Sequence, residues 1–283
     1  MILSEAILRY NLADLHTHSF CSDGFRTPTQ AVKEAREAGL QALSLTDHDT
    51  VEGIDEAIEA GKRFQVEVIP GSELSAHVDD REVHLLAYLI DWNNLNLKNN
   101  LKLVHQKRRE RGNAIVNKLN SMGITITIEE ILDQAQGSPL GRPHIAAILV
   151  KKGVVADKDE AFVRFLGDRS PAFQAKPRIP AENVIDVVHR AGGIAILAHP
   201  GYSIPDAVIN NLIKMGLDGV EVYHPAHQPQ QIEFYTQLTI QHNLVISGGS
   251  DSHGDINGTN IGDYGIGYEA IEAMRNRAAR YAN

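Results

Sequence analysis

The chain has 283 residues, 43% of them hydrophobic, which is enough for one α/β barrel-sized domain carrying an insertion. A formal net charge of −9 argues against a simple nucleic-acid coating protein, and the single cysteine, Cys21, excludes an internal disulfide framework. No basic region followed by an apolar run opens the chain, and no stretch approaches the roughly 18 apolar residues of a membrane span, so a cytoplasmic protein with no membrane association is expected.

In chain order, a first strand ends in Asp14-Leu15-His16-Thr17-His18, followed by a turn through Cys21 and Asp23. Residues i and i+2 of a strand share a face, so His16 and His18 project together at its end. Thr27-Pro28 supplies the cap and first residue of a helix closed by Gly39. A second strand at 42–46 runs into Asp47-His48-Asp49, with Asp49 or Thr50 expected to cap a helix reaching Gly61. A third strand at 66–70 leads into Gly71-Ser72-Glu73, which places Glu73 just past its end. A fourth, at 83–90, carries His84 near its start.

From 91 to 180 the alternation stops and the pattern is helical, at 98–122, 128–135, 144–152 and 158–166. It resumes with a helix at 181–191 and an apolar strand at 194–198 that ends in His199-Pro200. A helix at 205–215 and a strand at 219–223 lead to His224-Pro225-Ala226-His227. A helix at 230–242 and a strand at 244–247 precede Ser250-Asp251-Ser252-His253.

Charge follows the same division. Residues 98–178 hold 15 Lys and Arg against 8 Asp and Glu, whereas the rest of the chain holds 12 against 28. An acidic scaffold able to bind cations beside a basic segment suits an anionic substrate, although Lys and Arg also line ordinary solvated helix faces. Gly141-Arg142-Pro143-His144 places Arg142 and His144 at a helix start, where free N–H groups favour anions. Arg142 is read as a phosphate contact through its bidentate guanidinium, the alternative being a surface cation.

The potential ligands cluster at strand ends, where parallel αβ barrels build active sites. They are His16, His18, Asp23, His48, Glu73, His84, His199, Asp251 and His253. Nine nitrogen and oxygen donors are too many for one four-coordinate ion and suit two or three divalent ions, manganese first, with zinc or iron as alternatives. Cys21 stays open as a further ligand, against the commoner role of an unpaired cysteine as a small buried hydrophobe. His105, His189 and His242 fall on helices and are read as structural.

With His16-Thr17-His18, Thr46-Asp47-His48-Asp49, Gly71-Ser72-Glu73, His84-Leu85-Leu86, Ala198-His199-Pro200 and Ser250-Asp251-Ser252-His253 in this order, the chain resembles the PHP (polymerase and histidinol phosphatase) superfamily of metal-dependent phosphoesterases. The resemblance implies a distorted (β/α)7 barrel formed by residues 1–90 and 181–283. The mainly helical insertion at 91–180 would cap the active site. It also implies three metal positions: His16, His18, Glu73 and Asp251; then Glu73 as a bridge with His84 and His199; then Asp23, His48 and His253. Asp23 stands where many members have His.

The insertion resembles a branch that removes the 3′-phosphate of nucleoside 3′,5′-bisphosphates and in some cases degrades short RNA from its 5′ end. There Arg142 and His144 would act on substrate phosphates. Asp47 joins the catalytic candidates, as a proton carrier or as an orienting group, and Lys176, His224 and His227 are candidate substrate contacts. The expected chemistry is attack on phosphorus by water that two bridged cations acidify. The partner is a nucleotide or short oligonucleotide, and no obligate protein partner is expected. Competing readings are a phosphomonoesterase on a small metabolite such as histidinol phosphate, amide or lactone hydrolysis on a metal barrel, and a nucleic-acid-binding module with structural metal.

Overall fold

A computed structural model describes residues 12–201, 204–255 and 258–282; the N-terminal segment inspected above for a leader lies outside them. The chain divides into two compact units, 1–98 with 178–283, and 99–177. No helix among the described residues is long and apolar enough to cross a membrane.

The first unit is an α/β barrel. Its strands are β1 (Leu12–Thr17), β2 (Ala42–Leu45), β3 (Glu67–Val78), β4 (Arg81–Tyr88), β5 (Ile194–Leu197), β6 (Gly219–Tyr223), β7 (Val245–Gly248) and the short β8 (Ile266–Gly267). They hydrogen-bond in the order β7-β6-β5-β4-β3-β2-β1-β8. β1 to β3 run parallel, β5 to β7 run parallel, and β4 is antiparallel to both of its neighbours. The ring closes beyond the end of β7, where Ser252 pairs with Thr17, Asp251 N donates to His16 O at 2.8 Å, and His18 N donates to Ser252 O at 3.0 Å. This is the expected distorted (β/α)7 barrel, with β8 added antiparallel to β1.

β2 and β5 are buried at every position because both faces of the sheet are covered there. Ala13, Leu15, Ile69, Leu86, Tyr88 and Ile196 share one core cluster, and Leu43 and Leu45 pack with α1 (Pro28–Glu37) and α2 (Ile54–Phe64) in another. Thr27 caps α1 as expected, in a reciprocal capping box with Gln30.

Two local expectations are corrected. β3 does not stop at Pro70 but continues to Val78 in an antiparallel hairpin with β4, so Glu73 lies inside a strand opposite Leu86. Neither Asp49 nor Thr50 caps α2, whose N-cap is Gly53; the Asp49 carboxylate instead accepts from Ser75 N at 2.7 Å and Ser75 Oγ at 2.9 Å.

The second unit contains most of α3 (Leu95–Ser121), then α4 (Ile128–Ala135), α5 (Arg142–Lys151) and α6 (Lys158–Ala161), which continues into a π-helical turn at Phe162–Leu166. Its own core gathers Leu119, Ile131, Ile145, Leu149 and Leu166. Back in the first unit, α7 (Ala181–Arg190), α8 (Asp206–Lys214) and α9 (Pro229–His242) precede the later strands. α10 (Glu269–Ala278), not foreseen in the sequence, buries Ile271 and Met274 against the barrel core.

Gly249 marks the closest approach at the closure: a Cβ there would lie 2.4 Å from His16 N and 2.5 Å from His16 Cβ, both on a buried strand that cannot give way. Gly249→Ala is therefore expected to lower the free energy of unfolding by about 1–3 kcal/mol, the range for overpacked cores, as measured by urea denaturation of the metal-stripped protein.

Candidate metal centre

The centre is built around Glu73, whose side chain is 1% exposed. Oε2 lies 3.3 Å from His16 Nε2, 3.4 Å from His18 Nε2 and 3.0 Å from His48 Nδ1. Oε1 lies 2.7 Å from His84 Nδ1 and 2.9 Å from His199 Nε2. His84 reaches this end of the barrel from the beginning of its strand because β4 runs opposite to its neighbours.

His16 and His18 are aimed by a β-bulge. Asp14 pairs with Leu43 and Thr17 with Leu45, so β1 holds one more residue than β2 over this span and its alternation shifts at Leu15–His16. Asp251 and His199 take their places through left-handed backbone, with φ of 51° and 25°. Such conformations are costly outside glycine and persist where surrounding structure enforces them.

Donor atoms within 4.8 Å of one another fall into overlapping groups. One is His16, His18, Glu73 and Asp251; a second is His48, Glu73 and His84; a third is His18, Asp23, His48 and His253; a fourth is His16, Glu221 and His224. Eight of the nine candidate ligands fall in these groups; His199 is in none of them and joins the cluster through its 2.9 Å approach to Glu73 Oε1. Cys21 joins none of these groups, and burial, reinforced by Asp47, pushes its thiol up to about 11.

The electrostatics suit cations. Burial would raise the Glu73 carboxyl, but His48, His84 and His16 outweigh it and hold it well below the usual range. Burial would lower His16, yet Glu221, Asp251 and Glu73 hold it well above the ordinary imidazole range. His48 is pushed down to about 4 by burial together with His18 and His84, so it is neutral and ready to ligate. Neither ring nitrogen of His18 has a hydrogen-bond partner among the described residues although both are buried, and Nε2 sits 3.0 Å from Asp251 Oδ1. Imidazole nitrogens converging on buried carboxylate oxygens, those of His18 without a hydrogen bond, are a donor set that a divalent cation fits.

Three of the expected site residues are engaged by partners within the chain. The Asp47 carboxylate, expected among the catalytic groups, accepts from Ser19 N at 2.8 Å, Ser19 Oγ at 2.6 Å and Ser22 Oγ at 2.6 Å. It clamps the turn that carries Asp23. His227, expected as a substrate contact, has both ring nitrogens engaged by backbone, Nδ1 donating to Val222 O at 2.8 Å and Nε2 accepting from Gly201 N at 3.1 Å. His224 accepts from Ala226 N through Nδ1 at 3.1 Å, which leaves the proton on Nε2, 3.4 Å from Asp251 Oδ2.

In the second unit, Arg142 is the first residue of α5, and its Nη1 reaches Leu166 O at 3.0 Å and Asp168 Oδ1 at 3.1 Å. His144 Nδ1 accepts from Gly141 N at 3.1 Å and so caps its own helix, while Nε2 lies 3.5 Å from Ser138 Oγ. Lys176 is half-buried.

Two buried acids were missed. Asp14 accepts from Ser250 N and Gly262 N, each at 2.9 Å, tying the segment that bears Asp251 to β1. Glu221 lies beside His16 and His199. The available signal for Glu221 was an acid between two valines in a strand otherwise free of charge.

A barrel that gathers imidazoles and carboxylates around one bridging carboxylate defines a metal-dependent hydrolase. The chain belongs to the PHP domain family, whose profile matches residues 14–164, and it is a metal-dependent phosphoesterase. It is 34% identical over 245 residues to a 5′-3′ exoribonuclease of Haemophilus influenzae, covering 85% of this chain and 89% of the relative. It is 30% identical over 246 residues to a 3′,5′-nucleoside bisphosphate phosphatase of Chromobacterium violaceum, covering 85% and 86%. A crystal structure assigned to a metal-dependent phosphoesterase of Bifidobacterium adolescentis superposes with a TM-score of 0.85 at 32% identity, over 94% of this chain and 96% of that one.

Burial would lower His253, but Asp23, 3.4 Å away, and Asp251 outweigh it and push His253 up to about 9. In the metal-free protein this raised value contributes stability below the ordinary value of 6.5 that is lost as pH rises through about 9. A cation bound at Asp23, His48 and His253 must displace that proton. Affinity at this group is expected to rise about tenfold per pH unit between neutrality and 9, with proton release detected by calorimetry in two buffers of different ionisation enthalpy.

Proposed function

We propose that the protein hydrolyses the 3′-phosphate of nucleoside 3′,5′-bisphosphates to 5′-nucleotides, with 5′→3′ degradation of short RNA as a related activity. The observation that carries the reading is Glu73, whose two oxygens serve separate sets of imidazoles at 2.7–3.4 Å, a layout for more than one divalent cation around a shared carboxylate. The nucleotide class is supported by the names of the relatives and by Arg142, a permanently charged group with phosphate-matching geometry at a helix start.

The proposed cofactors are two or three divalent ions, manganese first and zinc or iron next. His16, His18, Glu73 and Asp251 would hold one, Glu73, His84 and His199 a second, and Asp23, His48 and His253 a third. When bound, such ions acidify water and offset charge on phosphoryl oxygens. The chain's own residues supply the rest. Arg142, with His144 and Lys176, is assigned to the substrate phosphates. His224, its proton on Nε2, holds the outer oxygen of Asp251 so that Oδ1 stays turned toward His16 and His18. In the reaction a bond forms from water oxygen to phosphorus, the bond from phosphorus to O3′ breaks, and a proton passes to the departing O3′.

Manganese-loaded protein is expected to release phosphate from adenosine 3′,5′-bisphosphate and leave 5′-AMP. Arg142→Ala should lower kcat/KM about 10- to 150-fold, the equivalent of about 1.5–3 kcal/mol for a hydrogen bond to a charged group. Turnover of histidinol phosphate with none of the bisphosphate would replace this reading with the small-metabolite one.

A further inference from the structure

Glu221 sits in the middle of β6 with its side chain fully buried, and both of its oxygens are engaged. Oε1 lies 2.9 Å from His16 Nδ1, and Oε2 accepts from the backbone N of His199 at 2.7 Å. The other ring nitrogen of His16, Nε2, faces Glu73 Oε2 at 3.3 Å and Asp251 Oδ1 at 3.4 Å. A neutral imidazole carries one proton, and of the two nitrogens facing carboxylates the one in the shorter contact, Nδ1 at 2.9 Å against 3.3 Å for Nε2, is the one that keeps it. The backbone that Glu221 grips at His199 is the residue with φ of 25°, a conformation that needs such restraint.

We propose that Glu221 is a positioning residue for the metal centre: it fixes the proton of His16 on Nδ1, so that unprotonated Nε2 is presented to the cation, and it holds the strained turn from which His199 reaches Glu73. The proposal rests on the reading of His16 and His199 as ligands and deepens it, since one carboxylate from a strand outside the nine-ligand set then organises donors to two positions.

The competing role is direct ligation, because donor atoms of His16, Glu221 and His224 also lie within 4.8 Å of one another. Against it, both Glu221 oxygens already accept hydrogen bonds. A cation on that side would also have to take His16 Nδ1, leaving Nε2 protonated among carboxylate oxygens that need a cation themselves.

The test compares the full-length protein with Glu221→Gln, which keeps the shape but replaces one acceptor oxygen by an NH2 facing a donor. Three quantities are read: affinity for Mn2+ and Zn2+ by chelator competition, ions per chain at saturation by elemental analysis, and melting of the metal-stripped proteins. The expected result is about 10- to 100-fold weaker affinity, the usual consequence of losing such an outer partner, with the wild-type number of ions regained at saturation. Unchanged affinity with a shifted melting temperature would make Glu221 merely structural and overturn the proposal. One ion fewer at saturation overturns it too, by making Glu221 a ligand. A wild-type chain that binds neither cation removes the ligand reading itself, a failure separable from that of Glu221. Should the variant not fold, imidazole nitrogen NMR of the zinc-loaded wild type decides: a proton on His16 Nδ1 supports the proposal, and a proton on Nε2 overturns it.

Discussion

The carboxylate of Glu73 is the constraint on which the rest of the structure depends. An ionised carboxylate taken out of water is very costly unless surrounded by compensating charge or donors, and here five imidazoles stand within 3.4 Å of its two oxygens. Those imidazoles come from β4, from the ends of β1, β2 and β5, and from nowhere else in the chain. The barrel exists, in functional terms, to bring these strand ends to one carboxylate. The extension of β3 past Pro70 into a hairpin with β4 carries Glu73 inward from its own strand and sets His84 beside it.

Behind the donors lies a layer of buried acids that ligate nothing in the proposed arrangement. Asp47 ties down the turn bearing Asp23, Asp14 ties the segment bearing Asp251 to β1, and Glu221 grips both His16 and the backbone of His199. Each engages backbone N–H groups of loops that have no ladder to join, which is how irregular segments satisfy buried donors. Burial pushes the Asp14 carboxyl up to about 6 even though Ser250, Gly262 and His16 donate to it, a measure of how far this layer lies from water.

Family membership makes the chemistry that of phosphoester hydrolysis, while the substrate is decided by groups outside the shared cluster. Arg142 and His144 lie at the start of α5 in a separate compact unit, richer in basic residues than the barrel. The cluster of mixed acids and imidazoles and the basic helical element thus belong to different compact units of the chain.

The sequence by itself marked seven of the strands along the chain and nine candidate ligands, because strand alternation and the recurrence of His, Asp or Glu at apolar strand ends are local patterns, and its family resemblance implied the barrel. It also marked the helical segment through its change of period and charge. It did not reveal that β4 runs antiparallel or that Glu73 lies within a strand. It gave no sign that a bulge at Leu15–His16 turns the first two histidines into the mouth, since register and bulges depend on the partner strand. The partners of Asp47, His224, His227 and Glu221 were likewise beyond it. Whether an acid or imidazole handles protons, grips a loop or aims a ligand depends on which distant N–H or ring nitrogen lies within 3 Å, and only the closed barrel brings β6 against β1 and β5.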